Sequence, residues 1–137
     1  MTEIIVLAVT RLSSGVCVAG ITSDGEWIRP TRPNANDTWR QLEYDDCKEG
    51  VGDWIVRKGN TVRMDLVKPI PQGDHSEDWL VGKSRPEPVG ELSEAEYKHV
   101  CQRITEAATD PVEGKQAHYC PVNVLGICCK SNKYKRL

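Results

Sequence analysis

The stretch Cys17-Val18-Ala19-Gly20-Ile21-Thr22-Ser23-Asp24-Gly25-Glu26-Trp27-Ile28-Arg29-Pro30 sets two apolar runs on either side of an Asp-Gly pair. It reads as a β-hairpin, because Asp24-Gly25 suits a two-residue type I′ turn, whose central positions both need φ > 0. That turn predicts a register. Ser23 lies opposite Glu26, with Ile21 opposite Ile28 and Ala19 opposite Pro30 on the core side. Thr22, Gly20 and Val18 then lie opposite Trp27, Arg29 and Thr31 on the other side. This second side presents an indole and a guanidinium beside a glycine that leaves room, a surface suited to stacking on a flat ring and holding an anion.

Upstream of the hairpin, Glu3 to Thr10 is an almost continuous apolar run, as a central strand requires, and Ser13-Ser14-Gly15 supplies a turn. Three strands within the first thirty residues predict an antiparallel meander, with no βαβ spacing. Downstream, Pro30, Pro33 and Asn34 to Asn36 break the pattern. Asp37 is expected to cap a short helix through Trp39, Arg40 and Leu42. The acids Glu43, Asp45, Asp46, Glu49 and Asp53 follow and read as a solvated loop. Residues 53–56 and 61–68, around Lys58-Gly59-Asn60, read as a second hairpin. Residues 82–92 carry Pro86, Pro88 and Gly90 and are linker-like.

Ser93-Glu94-Ala95-Glu96 is a capping box opening a helix over 93–109. Its stripe of Tyr97, Val100, Cys101, Ile104 and Ala108 is expected to dock on the sheet. Val122 to Cys129 reads as a final strand, and a basic tail completes 122–137. The expected fold class is therefore mostly β (α+β), a single domain over 1–137 with antiparallel strands and one docked helix.

Composition narrows the function. The chain has 137 residues, 28% charged and 39% hydrophobic, with net charge −2, as an ordinary folded domain does. No apolar run approaches the roughly 18 to 20 residues of a bilayer crossing, and Met1-Thr2-Glu3 lacks a basic leader, so the expectation is cytoplasmic with no membrane partner. Mild acidity argues against a sequence-blind duplex binder, whose affinity comes from Lys and Arg displacing counterions. Four Trp and four Tyr with no Phe mean that every ring carries a polar handle, as interfaces favour.

Six cysteines in a cytoplasmic chain read as thiols. There is no C-x-x-C; the spacings present are His99-x-Cys101, His118-x-Cys120 and Cys128-Cys129, and on a strand His118 and Cys120 would point the same way and could share a metal with Cys128 or Cys129 if the last strand lies beside them. Packing as small hydrophobes accounts for these residues more simply, so no metal and no cofactor is expected. His75-Ser76-Glu77-Asp78-Trp79 puts an imidazole beside two acids but offers no nucleophile. It reads as a turn positioning Trp79 at the mouth of the sheet. There is no Gly-rich phosphate loop, nucleophile elbow or H-E-x-x-H, which disfavours an enzyme.

Ile5 to Leu7, Cys17 to Ile21, Gly25 to Pro30, Met64 to Val67 and His75 to Trp79 resemble the dual OB-containing domain family of bacteria and archaea. The resemblance covers about the first ninety residues and is anchored on Trp27 to Pro30. It implies a small OB-like or related β-barrel, with room in this chain for one full barrel and at most part of a second. By analogy with other OB folds it also implies association with nucleic acid.

The expected function is binding of nucleic acid, preferably single-stranded. Trp27 and Trp79 would meet bases, Arg29 and Arg32 phosphates, and the tail residues Lys130, Lys133, Tyr134, Lys135 and Arg136 would add attraction. The rivals are an adaptor or inhibitor that binds another protein through Trp and Tyr anchors, and a Cys/His metal or redox sensor.

Overall fold

The computed structural model describes residues 1–36, 40–49 and 51–108. The chain falls into two compact units, Met1–Glu91 and a second beginning at Leu92. The first contains β1 (Thr2–Leu12), β2 (Gly15–Ile21), β3 (Trp27–Pro33), β4 (Arg40–Gln41), a 3-10 turn at Tyr44–Cys47, β5 (Lys48–Glu49), β6 (Asp53–Trp54), β7 (Asn60–Met64), β8 (Leu66–Pro69), β9 (Asp78–Val81) and β10 (Glu87–Glu91).

The expected meander is present, with β1 antiparallel to β2 and β2 to β3. β1 is central, since its other edge pairs antiparallel with β7. The sheet runs β10-β7-β1-β2-β3-β9-β8, with β4 alongside β3. Only Asp65 separates β7 from β8, so the arm bonded to β1 continues directly into the arm bonded to β9. Five arms, β1, β2, β3, β9 and β7–β8, thus follow one another around an OB-like curved sheet. Every described pair is antiparallel except β3 with β9.

The apolar run of β1 is explained by a bulge. Val6 pairs with Gly20 but Ala8 with Ala19, so Leu7 is an extra residue and both sides of the strand are buried there. Inside the curve lie Ile4, Val6, Val16, Val18, Ile28, Leu42, Cys47, Ile55, Val56, Val62, Met64 and Val81.

The opening hairpin keeps Asp24 and Gly25 at its tip, but its register is one residue away from the expected one. Gly20 pairs with Ile28 and Ile21 with Trp27. The Thr22 N–H donates to Glu26 O at 2.9 Å and the Gly25 N–H to Thr22 O at 3.0 Å, leaving Ser23-Asp24-Gly25 as a three-residue loop. Gly25 takes φ 85°, as the left-handed position of such a loop demands. Ile28 and Pro30 therefore share the core side with Gly20 and Val18. Gly20 does not open space beside Arg29; a Cβ there would meet Ile5 O at 2.6 Å, so it serves the close approach to β1.

Three further expectations change. The arm 61–68 does not pair with residues 53–56; β6 pairs with β5, and β7 lies between β1 and β10. Arg40 and Gln41 are strand, and Leu42 bridges to Val16 where a helix was expected; Asp37 and Trp39 lie outside the described residues. The linker-like 82–92 contains β10, an edge strand whose Pro88 and flanking glutamates suit an edge.

The second unit holds α1 (Glu94–Ala108), opened by the expected capping box. Ser93 N–H donates to Glu96 Oε1 and Glu96 N–H to Ser93 Oγ, both at 3.1 Å. Cys101 and Ile104 of its apolar stripe are buried. The predicted strand 122–129 and the basic tail lie outside the described residues.

Candidate binding surfaces of the barrel

Residues two apart on a strand share a side, so Trp27 and Arg29 project together from β3 with Ile21, Ala19 and Cys17 of β2 beside them. Both are half-exposed. Arg29 is not available to a ligand as a free fork, however. Its Nε and second terminal nitrogen grip Asp78 at 2.5 and 2.8 Å, and Asp78 is 0% exposed. The parallel pairing of β3 with β9 sets Arg29 directly beside Asp78.

Arg40 of β4 reaches the same carboxylate at 3.2 Å and also donates to Ile70 O. Burial opposes the Arg29 charge, but the hydrogen bonds and charge of Asp78, with Glu77 nearby, outweigh it and raise the pKa. Burial likewise raises the Cys17 thiol, against the pull of Arg29.

Arg32 is also engaged. It forms a two-pronged bridge to Asp46 at 2.8 and 2.7 Å and donates to Val81 O at 3.2 Å and Gly82 O at 2.6 Å. Hydrogen bonding to Asp46 raises its pKa despite partial burial. The acidic stretch expected to be solvent-facing therefore contributes Asp46 to the fold, with Glu43 N–H capping the same carboxylate at 2.9 Å.

Trp79 does not stand at the sheet mouth. It follows Asp78 on the opposite side of β9 and packs against the core. Lys130, Lys133, Tyr134, Lys135 and Arg136 lie outside the described residues, as do His118, Cys120, Cys128 and Cys129. Cys17 and Cys47 are free thiols.

Two further features lie outside the expected binding residues. At one end of β1 the Arg11 guanidinium sits 4.2 Å from the centre of the Trp54 ring, and Tyr44 meets the same ring at 6.1 Å with a 56° tilt. Tyr44 OH donates to Leu12 O and Trp54 Nε1 to Val56 O at 2.7 Å, so both rings are tethered. In the connection between β8 and β9, His75 Nδ1 lies 3.0 Å from Glu77 Oε1, and the ligand atoms of His75, Glu77 and Asp78 all fall within 4.8 Å of one another. Only the run His75 to Trp79 hinted at the second, and it gave no sign that Arg29 and Arg40 converge there.

OB folds bind ligands on their second and third strands and on the loops joining strands one to two and four to five. The counterparts here are β2, β3, the Ser13-Ser14 turn and residues 70–77, where the half-exposed Trp27 and the His75 cluster lie. The dual OB-containing domain family matches residues 2–127. The chain belongs to that family. The family match runs well past the ninety residues that carry the resemblance, and OB-fold membership is consistent with a nucleic-acid-related role in general. No curated protein and no solved structure matches the chain. No described helix of this family member is long and apolar enough to cross a membrane.

Proposed function

We propose that the chain is a cytoplasmic binding module that holds another protein through aromatic anchors on its barrel. One observation carries this reading: the two arginines best placed to meet phosphates, Arg29 and Arg32, are both committed to carboxylates of the fold. A phosphate at Arg29 would have to displace a carboxylate that is fully buried, leaving that charge without its partner. The aromatic side chains carry no such cost. Trp27 is half-exposed and Tyr44 is 39% exposed, and rings that are apolar in body and polar at one edge are frequent anchors of protein interfaces.

The test is capture from the native host's lysate, with and without nuclease, using the parent, Trp27→Ala and Tyr44→Ala as baits. The expected result is a discrete protein retained after nuclease treatment, little affected by salt, and weakened by one of the two substitutions in a bait that melts like the parent. Loss of all capture after nuclease, with a labelled single strand bound directly, overturns it.

Single-stranded nucleic acid is the second reading, and the Arg11–Trp54–Tyr44 group favours it. A guanidinium lying on an indole, with no carboxylate partner among the described residues, is a platform of the kind on which bases stack. The tail from Lys130 to Arg136 would add charge. Under this reading Arg11→Ala weakens single-strand binding and reduces the salt slope by about 0.7 of a unit, as one lost phosphate contact does.

A further inference from the structure

We propose that His75, Glu77 and Asp78 form a site for a divalent transition-metal ion in the connection between β8 and β9. The backbone of this connection is held at three points. Gln72 and His75 exchange hydrogen bonds at 3.1 and 2.9 Å around Gly73, whose φ is 55°. The Arg29 N–H donates to Glu77 O at 2.7 Å and the Ile70 N–H to Asp78 O at 2.8 Å. The three side chains are thereby presented from a fixed scaffold, which is the condition for a ligand set to be organised before the ion arrives.

The spacing suits an ion. Neighbouring ligands bonded at about 2.0 to 2.1 Å, at right angles, lie about 3 Å apart. His75 Nδ1 and Glu77 Oε1 are 3.0 Å apart. These two are the principal ligands.

Asp78 is the third, in a lesser role. Its Oδ2 already accepts from Arg29 and Arg40, and its Oδ1 from Arg29 alone, which leaves Oδ1 a lone pair. The two guanidiniums hold Asp78 in place and offset its charge, so Glu77 is the anion that faces the ion. The carboxylates are not ordinary surface acids: the Glu77 and Asp78 side chains are 9% and 0% exposed, while His75 is 53% exposed and opens the site to solvent. One imidazole with carboxylate oxygens suits zinc, cobalt, nickel, iron or manganese, whereas calcium prefers oxygen alone.

The experiment is a cobalt(II) titration of the full chain followed by visible absorption, with zinc as competitor. The cysteines make cobalt the right probe, because thiolate ligation produces a strong sulfur-to-cobalt band that nitrogen and oxygen ligands do not. The expected result is one saturable equivalent with weak visible bands and no sulfur band. His75→Ala and Glu77→Gln each weaken it at least about tenfold, and Cys120→Ser leaves it unchanged.

His75 is exposed, so His75→Ala should melt like the metal-free parent, and added metal should raise the melting temperature of the parent alone. The absence of saturable binding overturns the proposal. A sulfur band with affinity unchanged in His75→Ala does so equally.

Discussion

At the scale of single residues, the determining group is Asp78, a carboxylate with no exposed surface shared by arginines from two strands. A buried ion pair is weak evidence of net stabilisation, but removing one member leaves the others uncompensated in a poorly solvated place. Asp78→Asn should therefore destabilise the first unit by about 3 kcal/mol, the low end of the usual range because the Arg29 side chain keeps 22% exposure. Urea unfolding measures this, and a change below about 1 kcal/mol would show that the arginines find other partners. The sequence made half of this arrangement legible. Period-two alternation places Trp27 and Arg29 on one side of β3 without any structure. The acid that claims Arg29 lies 49 residues further on, brought alongside by a parallel pairing that no local pattern announces. Arg32 meets Asp46 for a similar reason, and an acidic run read as solvated surface supplied a structural carboxylate.

At the scale of elements, turn chemistry was readable to within one residue. Asp-Gly serves a two-residue turn, and Gly serves equally at the left-handed position of a three-residue loop; the one-residue difference decides which partner each side chain meets. Gly25 stands in open space at φ 85°, so Gly25→Ala isolates backbone strain from any clash. It should cost about 1 to 2 kcal/mol in thermal or urea unfolding, and a neutral result would mean that the loop relaxes to another turn. The helix start is legible in the sequence because a capping box is wholly local. Hydrogen bonds from Ser93 hold the Glu96 carboxyl below its ordinary range. Its folded pKa is thus lower than its unfolded one, so its contribution is complete above the unfolded value and is lost as pH falls through the folded value. Acid titration followed by circular dichroism should show helix loss in that interval, and Glu96→Gln should remove that component.

For the whole molecule, the strand path depends on the continuity of β7 into β8 across Asp65, which lets one arm bond to β1 at its start and to β9 at its end. Alternation in Val62, Met64 and Leu66 is visible in the sequence, but the neighbours of that arm are set by a crossover, which explains why a simple second hairpin was the expectation. The core enclosed by this path includes Cys47, fully buried, its thiol pushed up to about 12 by burial and by the nearby charge of Asp46, against Arg11 and Lys48. Unfolded, the same thiol titrates at about 8.5. The folded value is the higher, so the stability it contributes is complete below about 8.5 and falls as pH rises towards 12, by up to about 1.4 kcal/mol per pH unit. Lysines and tyrosines titrate over the same interval, so the informative quantity is the difference between the parent and Cys47→Ala in urea unfolding at several alkaline pH values. The variant should be less stable at neutral pH, from the cavity it creates, yet lose less with rising pH, so the two curves converge. Parallel curves would mean that Cys47 reaches solvent without global unfolding. A thiol reagent distinguishes that case, since it would then modify Cys47 in the native protein, whereas a thiol enclosed by the barrel reacts only as the chain unfolds.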